Sequence, residues 1–135
     1  MHEAARYSDV HRRWFFFPRK LSRRPYDAKA DESKCCNLFI SAVETSTTSA
    51  GESGFDPSTI LAAPRLSFNK LRGCSDFVFI PGTNDTHVLV ARTEERAYGD
   101  VRTFVSVMDL EGSILMEERA VADGRKFEGV ALLPF

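Results

Sequence analysis

The chain has 135 residues, 43% hydrophobic and 27% charged, with a formal net charge of −1. That balance suits one folded globular unit, excludes a disordered polyelectrolyte, and provides no overall field to gather nucleic acid or an anionic membrane. The longest apolar runs, Phe77 to Ile80 and His87 to Ala91, fall far short of the roughly 18 residues that a membrane span requires.

In chain order, Met1-His2-Glu3-Ala4-Ala5-Arg6 lacks the basic lead and apolar core of a secretory signal, so no leader or anchor is expected within these residues. Arg13 to Phe17 is an aromatic run stopped by Pro18, and bulky aromatics favour a pleated, half-buried surface. Arg19 to Lys34 is charged, carries Pro25, and reads as an exposed connection between strands. Asn37 to Val43 reads as the next strand, with Leu38, Ile40 and Ala42 on one face and Phe39 and Ser41 on the other. From Glu44 to Pro57 the chain is mainly Ser, Thr and Gly, too polar to offset the entropy of ordering, and is expected to be a disordered insertion. Ile60 to Leu66 is expected to resume the sheet as its outer strand.

The second half is the clearer one. Phe77 to Pro81, His87 to Arg92, Val101 to Leu110 and Ile114 to Ala122 are short apolar runs separated by turn formers, Gly82-Thr83-Asn84-Asp85 first and Glu111-Gly112 last. They predict a four-stranded meander, after which Asp123-Gly124 turns the chain into a fifth run, Phe127 to Leu133, expected to begin another sheet. No segment keeps a helical apolar stripe for three turns. The fold class is therefore all-β.

Three cysteines, Cys35, Cys36 and Cys74, show no Cys-x-x-Cys spacing and signal neither a zinc site nor a disulfide framework. They read as free thiols, with a bridge from Cys35 or Cys36 to Cys74 left open for an oxidising compartment. Asn84-Asp85-Thr86 is an acceptor sequon for glycosylation in an exposed turn.

Polar residues head two apolar runs that end at proline, Ser75 before Phe77 to Pro81 and Glu128 before Gly129 to Pro134, and Glu3 stands less cleanly in the same role. Ser75 and Glu128 are 53 residues apart, close to the roughly 40–50 residues of one four-stranded propeller blade. On that spacing the three residues head the innermost strands of successive blades and point at one axis. On spacing alone the plainer reading is favoured, a turn cap and two solvated strand ends.

His2-Glu3-Ala4-Ala5, Arg13-Trp14-Phe15-Phe16-Phe17-Pro18-Arg19, Asn37-Leu38-Phe39-Ile40-Ser41-Ala42, Ser75 to Pro81 and Phe127-Glu128-Gly129 together resemble the C-terminal third of the soluble calcium-activated nucleotidases, the calcium-dependent apyrase family. The matches keep the family's order across nearly the whole chain. The resemblance implies a five-bladed β-propeller, of which residues 1–135 would be the C-terminal part, about two blades plus one strand. It implies calcium at the propeller axis, with Glu3, Ser75 and Glu128 among its ligands, and hydrolysis of nucleoside di- and triphosphates of the UDP, GDP and ADP class to monophosphates. Arg19 matches an arginine implicated in nucleotide binding, whereas Lys20 replaces the arginine commonly next to it. The family's setting implies the secretory pathway, in the endoplasmic reticulum or Golgi, or secretion.

Oxygen donors suit calcium, and a guanidinium fork suits phosphate. The rival reading is a non-catalytic β-domain that binds a partner through open strand edges or has no independent function; self-association through those edges is then expected. A nucleic-acid surface is disfavoured: the basic block from Arg12 to Arg24 interleaves with aromatics, but Phe15 to Phe17 are needed as strand core and no RNA-binding signature accompanies them.

Overall fold

The computed structural model describes residues 2–21, 24–25, 27, 29–31, 34–45 and 54–133, with the backbone alone at His2 and Glu3. The elements in chain order are β1 (His2–Ser8), β2 (Arg13–Pro18), β3 (Ile40–Ala42), β4 (Glu44–Thr45), β5 (Gly54–Phe55), a 3-10 turn (Pro57–Thr59), β6 (Leu61–Ala62), β7 (Arg72–Phe79), β8 (His87–Glu95), β9 (Val101–Asp109) and β10 (Ile114–Asp123). No α-helix occurs among the described residues.

Two four-stranded antiparallel sheets result, β1-β2-β3-β6 and β10-β9-β8-β7, and β4 with β5 forms a small ribbon. Both larger sheets are up-and-down meanders, with the ribbon inserted between the third and fourth strands of the first. β1 and β7, the first strands of the two sheets, lie beside each other. Their junction is fixed by Arg6, whose guanidinium donates to both Asp76 oxygens at 2.9 and 2.8 Å and to the Phe77 carbonyl at 3.0 Å.

One core spans both sheets. Ala4, Phe15, Phe17 and Phe39 from the first meet Phe77, Val88, Val90 and Met108 from the second, with Phe68 and Cys74 completing the cluster. Burying each large side chain is worth about 1.5–3 kcal/mol. Edge-to-face pairs, Phe39 on Phe77 at 5.4 Å and Phe15 on Phe79 at 5.3 Å, set the distance between the sheets.

The predicted meander of the second half is present, and Asn37 to Val43 narrows to β3, with Phe39 and Ser41 facing inward. Ile60 to Leu66 forms a strand only at Leu61–Ala62. The expected disorder from Glu44 to Pro57 does not extend to the flanks of that segment. β4 pairs with β5, and Asp56 accepts from the amide and hydroxyl of Ser58 at 2.9 and 2.6 Å, because short polar side chains bond to nearby backbone and order a turn without a core. Residues 46–53 lie outside the described residues.

Phe127 to Leu133 is not a strand. A strand needs a ladder partner, and this segment has none among the described residues. It is held instead by single bonds: Thr103 Oγ1 donates to the Arg125 carbonyl at 2.8 Å and accepts from the Phe127 amide at 3.3 Å, and the Val130 amide donates to Asp76 Oδ2 at 2.9 Å. β10, the outer strand of the second sheet, has three register shifts against β9. Such bulges, with Glu117, Arg119 and Asp123 on the strand, blunt an edge against pairing with other chains.

Candidate functional site

The site begins at two β-bulges. In the β7 and β8 ladder, Cys74 pairs with Arg92 and Asp76 with Ala91, so Ser75 is one residue too many on β7. In the β1 and β2 ladder, His2 pairs with Pro18 and Ala4 with Phe17, so Glu3 is the extra residue on β1. A bulge turns its residue out of the sheet's alternation, which is how strand ends near binding sites re-aim a side chain. The side chain of Glu3 lies outside the described residues.

Arg19 follows the last residue of β2, where Pro18 cannot continue the ladder on its own amide. Its carbonyl accepts from the Cys36 amide at 3.1 Å, which fixes the backbone. The side chain then passes over Gly73. A methyl group there would sit 2.5 Å from Arg19 Cγ and 3.0 Å from Nε, so this glycine is required by close approach.

Beyond Gly73 the guanidinium meets the second sheet. Arg19 Nη1 donates to Ser75 Oγ at 3.2 Å and Nη2 to the Thr93 carbonyl at 3.4 Å, while Ser75 and Thr93 share a hydroxyl hydrogen bond of 2.7 Å. Arg19 is 4% exposed, Ser75 1% and Thr93 0%. A buried cation needs a counter-charge, and Glu95 provides it, its Oε2 lying 3.1 Å from Arg19 Nη2. Glu95 Oε1 in turn lies 3.1 Å from Lys126 Nζ, which reaches Glu128 Oε1 at 2.9 Å. The hydrogen bond to Glu128 raises the Lys126 ammonium above its ordinary range, and Glu95 adds to the shift.

Three of the four residues singled out in the sequence are thus joined in one polar network: Ser75 and Arg19 directly, Glu128 through Glu95 and Lys126. Glu128 is exposed, so its end of the network opens to solvent while Ser75 closes the other. Sequence reasoning missed Thr93, Glu95 and Lys126, whose roles arise only from strand register and the path of residues 124–130. It also passed over Asp76, a carboxylate standing between Ser75 and the apolar run from Phe77, which is buried in the structure.

Ser75 offers a hydroxyl and Glu128 a carboxylate, the oxygen ligands that calcium takes, with the Arg19 and Lys126 cations standing between them. Among the described residues no three His, Cys, Asp or Glu side chains form a metal cluster. Arg72 and Arg92 form a neighbouring network with Glu94 and Glu118, in which Arg92 is 1% exposed and lies 4.1 Å above the Phe68 ring; that network packs the sheet. Ser8 donates to Asp85 Oδ2 at 2.7 Å while His11 Nε2 faces the Asp85 backbone oxygen, so these three do not form a nucleophile and base. Cys35, Cys36 and Cys74 form no disulfide among the described residues, and burial pushes Cys35 and Cys36 up from their ordinary range. A cavity of about 360 Å³ lined by His11, Arg13, Phe39, Leu61 and Leu110 shares no residue with the Arg19 network.

The family model Apyrase matches residues 1–133. The chain is 30% identical over 131 residues to an apyrase of Caenorhabditis elegans, covering 97% of this chain and 34% of that protein. It is 35% identical over 129 residues to an apyrase of Cimex lectularius, covering 96% and 32% respectively. It is 33% identical over 133 residues to the mouse soluble calcium-activated nucleotidase 1, covering 98% of this chain and 30% of the relative. The chain therefore spans about a third of the length of these relatives.

Proposed function

The chain belongs to the apyrase family, and from that premise we propose that its two four-stranded sheets are consecutive blades of a five-bladed β-propeller that hydrolyses nucleoside di- and triphosphates with calcium. The observation that supports the reading is the network from Ser75 through Arg19 to Glu95, Lys126 and Glu128, which brings oxygen donors together with two cations of the kind that suit a phosphate. A nucleoside di- or triphosphate such as UDP, GDP or ADP is the substrate, and a monophosphate is the product. Secretion or residence in the secretory pathway goes with this reading, as does the sequon at the exposed Asn84.

Glu3, Ser75 and Glu128 would hold calcium, and Arg19 would grip a phosphate. When bound, calcium would supply charge neutralisation at the phosphate oxygens and a positioned water for in-line attack. The chain's own residues prepare that site. The two bulges bring Glu3 and Ser75 to equivalent places on neighbouring strands. The Ser75 hydroxyl is held between Thr93 Oγ1 and Arg19 Nη1. The Arg19 fork supplies two parallel donors, a geometry a lysine lacks. Asp76 holds the Val130 amide and Thr103 holds Arg125 and Phe127, so Lys126 and Glu128 are delivered by a segment with no ladder of its own.

The test joins the part of the mouse relative that precedes the match to residues 1–133 of this chain and measures phosphate release from UDP with and without calcium. Calcium-dependent release is expected, and it should be lost in Glu128→Ala. A folded chimaera with no calcium-dependent release would instead favour a non-catalytic β-domain.

A further inference from the structure

Arg19 is almost wholly buried, which raises the question of how a phosphate could reach it. Ser75 and Thr93, its partners within the second sheet, are as inaccessible as Arg19 itself, whereas the Glu95 side chain is 40% exposed. Glu95 is also shared. Its two carboxylate oxygens are divided between two cations, Oε2 to Arg19 Nη2 and Oε1 to Lys126 Nζ, each at 3.1 Å. A phosphate presents a pair of oxygens to a guanidinium and an ammonium in much the same way.

We infer that the Glu95 carboxylate stands in the position of a substrate phosphate, that Arg19 and Lys126 are the two halves of the phosphate clamp, and that the phosphate enters by displacing Glu95. The inference deepens the proposed nucleotidase reading by adding a second phosphate-binding cation, Lys126, and a self-occupying anion, Glu95. Local structure suits each part. Glu95 is the last residue of β8, next to the exposed connection 96–100, so its side chain can swing outward without breaking the sheet. Lys126 keeps its place through two other contacts, Thr103 on the backbone at Arg125 and Phe127 and Glu128 on the ammonium at 2.9 Å. Arg19 is pinned over Gly73 and bonded to Ser75. Both cations therefore retain partners of their own when the carboxylate leaves. A terminal phosphate, at about −2 charge, then replaces a single negative charge between them.

Glu95 costs affinity for anions, because binding is diluted by the fraction of molecules in which the clamp is open. The probe is pyrophosphate, titrated calorimetrically without metal into the 135-residue chain at fixed ionic strength. Glu95→Gln should bind pyrophosphate about fivefold tighter than wild type or better, and Lys126→Met introduced into Glu95→Gln should abolish that gain. Glu95→Ala, read by the pyrophosphate-induced rise in Tm, should rank with Glu95→Gln and covers the case where the amide makes its own bond to Arg19. Equal or weaker binding by both Glu95 variants, a gain that survives Lys126→Met, or no binding in any variant would overturn the inference. Failure of calcium-dependent UDP hydrolysis with these binding results intact would count against the nucleotidase reading alone.

Discussion

Glu3 and Ser75 hold the same structural position, each the extra residue of a β-bulge near the start of the first strand of a four-stranded meander. A bulge is an interruption of the ladder, and two at matching places on neighbouring first strands make a repeated device for aiming side chains. Replacing Ser75 by Ala removes the hydroxyl but not the bulge. The circular dichroism spectrum should be kept and stability should fall by about 1–2 kcal/mol for the lost buried hydrogen bonds, while calcium binding weakens.

Arg19→Lys tests whether the fork geometry matters. The ammonium keeps the charge and can still meet Glu95, but it cannot bond Ser75 and a phosphate in parallel. A loss of about 1–3 kcal/mol in kcat/KM is expected in an active chimaera, equivalent to one or two charge-assisted hydrogen bonds. Wild-type kinetics would mean that Arg19 is only a structural cation.

Gly73→Ala should act on the same residue from the other side. The added methyl meets Arg19 Cγ at 2.5 Å and Cys35 Sγ at 3.1 Å, so Arg19 must shift. Destabilisation of about 1–3 kcal/mol with loss of pyrophosphate binding is expected from urea titration and calorimetry. A stable variant with unchanged anion binding would show that the Arg19 path has more room than the structure gives it.

Asp76 joins the two sheets to the segment after β10. Asp76→Ala removes the carboxylate that Arg6 Nη2, the Phe77 amide and the Val130 amide all meet, leaving Arg6 only its bond to the Phe77 carbonyl, and should cost about 2–4 kcal/mol by denaturant titration. It should also weaken the delivery of Lys126 and Glu128, so that residues near 126–130 become more open to hydrogen exchange.

Acid should loosen the second sheet through Glu94. Burial pushes this carboxyl up, but hydrogen bonds from Arg96 and Arg72 outweigh it and hold the group below its ordinary 4.5. A depressed acid stabilises the fold above its unfolded value and loses that contribution as pH falls through the folded one. Urea midpoints of the wild type should therefore fall more steeply below pH 4.5 than those of Glu94→Gln. Parallel profiles would remove Glu94 from the acid response.

Strand content was legible because the alternation and the turn glycines are local. Gly112 is one such signal, with φ of 88° and a position where a methyl would meet the Leu66 backbone nitrogen at 2.6 Å. Phe127 to Leu133 misled because an apolar run states strand propensity, whereas strand formation depends on a partner. At the flanks of the polar segment from Glu44 to Pro57, Asp56 and Thr45 order the chain by side-chain bonds to backbone, while residues 46–53 lie outside the described residues. At the site, spacing alone left Ser75 and Glu128 as a turn cap and a strand end, and it was the resemblance to the apyrase family that singled them out together with Glu3 and Arg19. Nothing local revealed that Arg19 reaches across to a hydroxyl 56 positions later, or that Glu95 and Lys126 complete the link.

The central claim is that Ser75 and Glu128, apart in sequence and linked through Arg19, Glu95 and Lys126, serve one calcium site. Calorimetric titration of calcium into residues 1–135 and into the Ser75→Ala and Glu128→Ala variants tests it most directly, with equimolar zinc as competitor. Because calcium takes roughly six to eight oxygens, the account predicts weak binding in the wild type, weaker binding in both variants, and no displacement by zinc. Titrations of both variants that overlay the wild type, or displacement of calcium by zinc, would contradict it.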